Sequence, residues 1–77
     1  MTLNEMICDN GIIVQGHVIV KRYVPADDSF KVLFDGDAEN LGLREDDIEN
    51  WMNLDIEFIY PERYACDTIN IELVQYD

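Results

Sequence analysis

Positive charge is scarce in this chain: five Lys and Arg stand against 17 Asp and Glu, a net charge of −12. That balance argues against direct binding to a phosphate backbone or an anionic membrane and favours a basic partner surface, commonly one that otherwise holds nucleic acid. Long apolar runs are absent as well, none reaching ten residues, and residues 1–5 lack the basic and apolar regions of a secretory leader. The expectation is a soluble, cytoplasmic protein. Cysteine is limited to Cys8 and Cys66, too few and too far apart for the dense disulfide framework of a small secreted scaffold, so two reduced thiols are expected. There is one histidine, no glycine-rich phosphate loop, and no nucleophile, base and orienting group in a recognisable order. Carboxylate pairs carry no information where carboxylates are so many, and a small domain has little room for a substrate pocket. Catalysis is not expected.

What is present is enough apolar material to fold. Hydrophobic residues make up 48% of the 77, with three Phe, four Tyr and one Trp, more than an acidic disordered tail carries. Length permits one thin core, so residues 1–77 are read as a single domain. Thr2-Leu3-Asn4-Glu5 is a capping-box pattern, with Leu3, Met6 and Ile7 as the apolar stripe of a short helix stopped by Asp9-Asn10-Gly11. Residues 12–24 are rich in β-branched side chains and read as a strand, with Val14, Gly16, Val18, Val20 and Arg22 on one face and Gly16 marking a bulge or bend. Turn chemistry at residues 25–29 returns the chain as a second strand over residues 30–34, with a polar loop over residues 35–40.

Residues 44–52 read as a helix with Leu43, Ile48, Trp51 and Met52 on its apolar face and carboxylates on the other. Residues 54–60 alternate apolar and acidic side chains as a half-buried strand that Pro61 stops, and residues 68–74 alternate again as the last strand. The predicted fold class is α+β: a small single domain in the order α-β-β-α-β-β, with an antiparallel sheet of about four strands and two short helices. Tyr23, Tyr60, Tyr64 and Tyr76 fall near strand ends and turns, where tyrosine either meets an Arg-rich partner or caps a small core with its hydroxyl in water.

Several short motifs carry a resemblance. A Met1-Thr2-Leu3-x-Glu5 start, a hairpin whose second strand ends in Leu33-Phe34-Asp35-Gly36, an acidic helix, Ile59-Tyr60-Pro61-Glu62 and a closing Ile69-x-Ile71-Glu72-Leu73 resemble the small acidic proteins of bacterial phages and conjugative elements. The sub-class they are similar to is that of anti-CRISPR and anti-restriction inhibitors, which bind a host nuclease. The long first strand and the two cysteines depart from that pattern, and no functional residue is carried over. The resemblance implies a binding protein that inhibits a host nucleic-acid-handling enzyme in the bacterial cytoplasm, foremost by blocking DNA loading of a CRISPR effector nuclease. The alternative it implies is a structural or assembly module of a phage or conjugative element.

Acidity peaks over residues 35–57, which hold nine carboxylates and one base, Arg44. Carboxylates spaced several ångströms apart on one face can occupy a Lys- and Arg-lined groove in place of duplex DNA, which presents one charge per roughly 1.7 Å of axis. The expected partner-binding residues are Glu45, Asp46, Asp47 and Glu49, with Asp35, Asp37, Asp55 and Glu57 in support. The competing reading is a solvated face that keeps a small domain soluble.

The residues offer two metal readings. Asp35-Gly36-Asp37-Ala38-Glu39 begins like a calcium loop, but Asn40 stands where the loop needs glycine and Asp46 where it needs a bidentate Glu. Cys8, His17 and Cys66, with Asp9 or Asp67, could supply four zinc ligands, although no Cys-x-x-Cys spacing assembles them. The commoner arrangement is a core cysteine and a solvated or hydrogen-bonded histidine, so no cofactor is expected and zinc is the alternative.

Overall fold

The capping box forms as its residue types dictate. In the computed structural model the Thr2 hydroxyl oxygen accepts from the Glu5 N–H at 3.1 Å, and the Glu5 carboxylate accepts from the Thr2 N–H at 3.4 Å. A helical turn over residues 3–6 follows, with the Met6 N–H donating to the Thr2 carbonyl at 3.0 Å, and it buries Leu3 and Met6. The structure describes residues 1–6, 16–41, 45–63 and 65–76, without the side chains of Glu45, Ile48, Ala65 and Cys66. The expected helix stop at Asp9-Asn10-Gly11, the first part of the expected first strand with Val14, and Ile7, Cys8, Leu43, Arg44 and Tyr64 lie outside the described residues.

Among the described residues, four strands form one sheet: β1 (His17–Val24), β2 (Ser29–Asp37), β3 (Ile56–Glu62) and β4 (Ala65–Leu73), in the spatial order β2-β1-β4-β3. The β1–β2 and β3–β4 pairs are antiparallel hairpins. At the centre of the sheet β1 and β4 run parallel, with Val18 beside Ile69 and Val20 beside Ile71. The sheet is therefore mixed, which corrects the expected antiparallel one. Each hairpin is legible locally, whereas the pairing between them is decided by how the connection lays the second hairpin against the first.

One residue is extra in β2. Val20 pairs with Phe34 and Lys21 with Val32, so Leu33 bulges and both Leu33 and Phe34 pack toward the core. β2 continues to Asp37 before a 3-10 turn at Ala38–Asn40, so Asp35 and Asp37 are strand residues and not the loop residues the polar run suggested. Gly16 is the bend that the sequence indicated: its φ is +89°, its carbonyl accepts from the Ala38 N–H at 2.8 Å, and a Cβ there would sit 2.5 Å from the Asp67 carbonyl oxygen. Neither that backbone angle nor that approach accommodates a side chain.

The connection between the hairpins supplies the second layer. Instead of a regular helix over residues 44–52, a short turn α1 (Glu45–Asp47) widens into a π-helical turn (Ile48–Met52), which places Trp51 and Met52 in the core. They meet Leu3, Met6, Val18, Val20, Leu41, Ile71 and Leu73, with Phe34 tilted against Trp51 at 6.3 Å between ring centres. β3 runs through Pro61 to Glu62, so Pro61 does not stop it. β3 is an edge strand, and the N–H that proline lacks is not needed on an edge. A register shift between Ile56 and Phe58 turns Phe58 onto the Glu72 side of the sheet, leaving Phe58 exposed where simple alternation buried it.

Candidate functional site

The carboxylates expected at a binding surface do not stand together: Asp35 and Asp37 lie on a different side of the sheet from Asp46, Asp47 and Glu49. Phe34 and Gly36 of β2 point toward the helical layer, so the alternate residues Asp35 and Asp37 stand on the reverse face, both exposed. There they neighbour β1, where Asp35 holds the His17 imidazole in a short contact and Asp37 lies opposite His17 in the ladder. On the other side, Asp46 and Glu49 are exposed on the helical connection and Asp47 is half-buried. Asp55 is exposed at the bridge between β3 and Thr2, its carboxylate 3.9 Å from the N-terminal ammonium, and Glu57 is exposed at the β3 bulge. Glu45 begins α1. The acidic stretch is continuous in sequence, but its members do not share one face.

Three of the cations are turned to aromatic rings. The Lys21 ammonium lies over the Phe30 and Tyr60 rings, at 4.7 and 5.2 Å from their centres. The Arg22 guanidinium stacks on Tyr76 at 3.7 Å and donates to the Val74 carbonyl at 2.8 Å, while the Lys31 ammonium lies 5.8 Å from the same ring. Three of the five cations thus face rings and, for Arg22, backbone carbonyls.

These contacts also place three of the four tyrosines. Tyr23, Tyr60 and Tyr76 are half-buried and partnered, and the exposed aromatic rings among the described residues are Phe30 and Phe58. The Tyr23 hydroxyl donates to the Asp28 carboxylate, and that hydrogen bond, with lesser help from desolvation and the Asp28 charge, raises its pKa. Asp28 itself sits at φ +49° in the hairpin turn, a conformation Asp tolerates. Burial raises the pKa of Tyr60; Glu72 adds to the rise, and Lys21 opposes it. Sequence reasoning missed the reverse face as a unit. The available signal was β1, whose alternate residues His17, Ile19, Lys21 and Tyr23 are half polar while Val18 and Val20 are not.

Of the set Cys8, His17 and Cys66, only His17 has a described side chain, and its ring nitrogen is engaged by Asp35. Among the described residues, no three His, Cys, Asp or Glu side chains gather in a metal-binding arrangement. Also among the described residues, no helix is long and apolar enough to cross a membrane. Comparison of the chain with protein-family models, with curated proteins and with solved structures gives no match.

Proposed function

We propose that this protein acts by binding and not by catalysis, presenting carboxylates to the basic surface of a host nucleic-acid-handling protein and inhibiting it. A CRISPR effector nuclease in the bacterial cytoplasm is the foremost candidate. The observation that carries the reading is the exposed group Asp46, Glu49, Asp55 and Glu57 in a chain of net charge −12 whose Lys21, Arg22 and Lys31 are turned to aromatic rings. Such a surface steers toward a basic channel, competes there with DNA, and does so less well as salt rises.

The test is a titration into guide-loaded CRISPR effector complexes, scoring DNA loading at low and moderate salt. The double reversal Asp46→Lys with Glu49→Lys is expected to weaken inhibition by roughly tenfold or more while circular dichroism stays unchanged. Inhibition equal to that of the parent chain would sink the proposal. A second reading, an assembly module of a phage or conjugative element, is favoured by Val32, Phe58 and Ile59, all more than half exposed. Association through those side chains would resist salt.

A further inference from the structure

The two edges of the sheet are not equivalent. β3 is closed to strand addition: Pro61 offers no N–H, and the ladder register breaks at Glu57 and again after Pro61. Its start is also covered, because the Ile56 N–H donates to the Met1 carbonyl at 2.9 Å and Thr2 bridges Asp55. β2 lacks the proline and the covering bridge, and its register shifts once, at the Leu33 bulge. It is nine residues long, contains no proline, and among the described residues no strand lies on its outer side. Its first four residues, Ser29 to Val32, are all exposed, with Phe30 at 47% and Val32 at 54%.

We propose that the outer edge of β2 is a strand-addition site for an extended, basic segment of a partner protein. This rests on the binding role above in taking the partner to be basic, and it names how that partner is held. The backbone of an added strand would satisfy the outward N–H and C=O groups of β2, and side chains would select it. On the reverse face of the sheet, β2 presents two apolar side chains, Phe30 and Val32, followed by two carboxylates, Asp35 and Asp37. The β1 ladder shows how one strand reads that row across the Leu33 bulge, with Lys21 opposite Val32 and Ile19 opposite Asp35. In that register, matching apolar to apolar and base to acid, which β1 itself does not do, an added strand carries at alternate positions on that face two apolar residues and two Lys or Arg. Lys31 points to the opposite face beside Arg22 and Tyr76 and repels a base there, so the positive charge of the partner belongs to one face only. A second copy of this chain is the wrong occupant, because each copy carries −12.

The probe is a short peptide with Arg, Arg, Val, Val at alternate positions and Thr between them, titrated into the whole isotope-labelled protein. Two further versions carry N-methyl groups on alternate backbone amides, one set on the Arg and Val residues and the other on the Thr residues. Strand addition uses the amides of one set only, so one methylated version is expected to lose binding by about tenfold or more and the other to keep it. The parent peptide is expected to shift the amide resonances of residues 29–37 and slow their hydrogen exchange. Equal binding by both methylated peptides, with shifts at Asp46 and Glu49, would overturn strand addition while leaving the charge-based reading standing. No binding by any version would overturn it too, as would concentration-dependent protection of β2 in the protein alone. The effector titration judges the broader reading separately.

Discussion

The two faces of the central strands are built on opposite principles. Toward the helical layer, Val18, Val20, Ile71 and Leu73 are at most 1% exposed and carry no polar atom beyond the backbone. On the reverse face the same strands set His17, Lys21 and Glu72 among aromatic rings and carboxylates, and bury Asn70. The Asn70 amide donates to Glu62 at 2.8 Å, while among the described residues its oxygen accepts no hydrogen bond. One face is stabilised by removing apolar area from water, which neither salt nor pH alters much. The other is held by many small contacts that both can change.

The difference is broken most severely from the dry side. Ile71→Ala removes a fully buried side chain from the strand at the centre of the core and is expected to cost about 2–5 kcal/mol, a large share of the roughly 5–15 kcal/mol typical of a domain. Urea unfolding measures it, and a loss below about 1 kcal/mol would show that this face is not packed as described. On the reverse face Lys21→Met keeps the aliphatic stem and removes the charge over Phe30 and Tyr60. The expected cost is about 0.5–1 kcal/mol, read from the same curves. A loss as large as that of Ile71→Ala would erase the contrast.

The smallest effect is the one that sharpens the comparison. Tyr23 and Tyr60 both have raised pKa values, through the Asp28 hydrogen bond and through burial, respectively. In the folded protein their hydroxyls hold protons that the unfolded chain gives up near pH 10. Their contribution to stability is therefore complete below about pH 10 and is lost as pH climbs through the raised values. Phenolate absorbance should show two late-titrating tyrosines, and Asp28→Asn should bring Tyr23 earlier while leaving Tyr60 in place. Two unshifted titrations would refute both contacts.

Legibility in the sequence followed the range of the interactions. The capping box of Thr2 and Glu5 and the turn that carries Asp28 depend on near neighbours in sequence and are readable; Gly16 is readable as a bend from its residue type, although the close approach there comes from the distant Asp67. Trp51 and Met52 were placed correctly as core residues, although the helix that carries them is a short turn with a π-helical continuation. Pro61 misled because its tolerance depends on β3 being an edge, a property of the assembled sheet. Phe58 misled because one register shift reverses the alternation. The acidic stretch was obvious by composition, but its division between two sides follows from β2 running on through Asp37, which its polar side chains concealed.

The order of the strands sets a schedule for folding. β4 is the last of the described strands, yet it lies inside the sheet, between β1 and β3. Until it emerges from the ribosome, Val18 and Val20 have no Ile69 and Ile71 beside them, and the two hairpins cannot join. The β1–β2 hairpin must wait while the helical connection and β3 are synthesised, with its inner edge open to any other strand in reach. The β1–β4 closure pairs residues far apart in sequence, the kind of distant pairing that slows folding. A chain cut short before Thr68 would lack the central strand that joins β1 to β3.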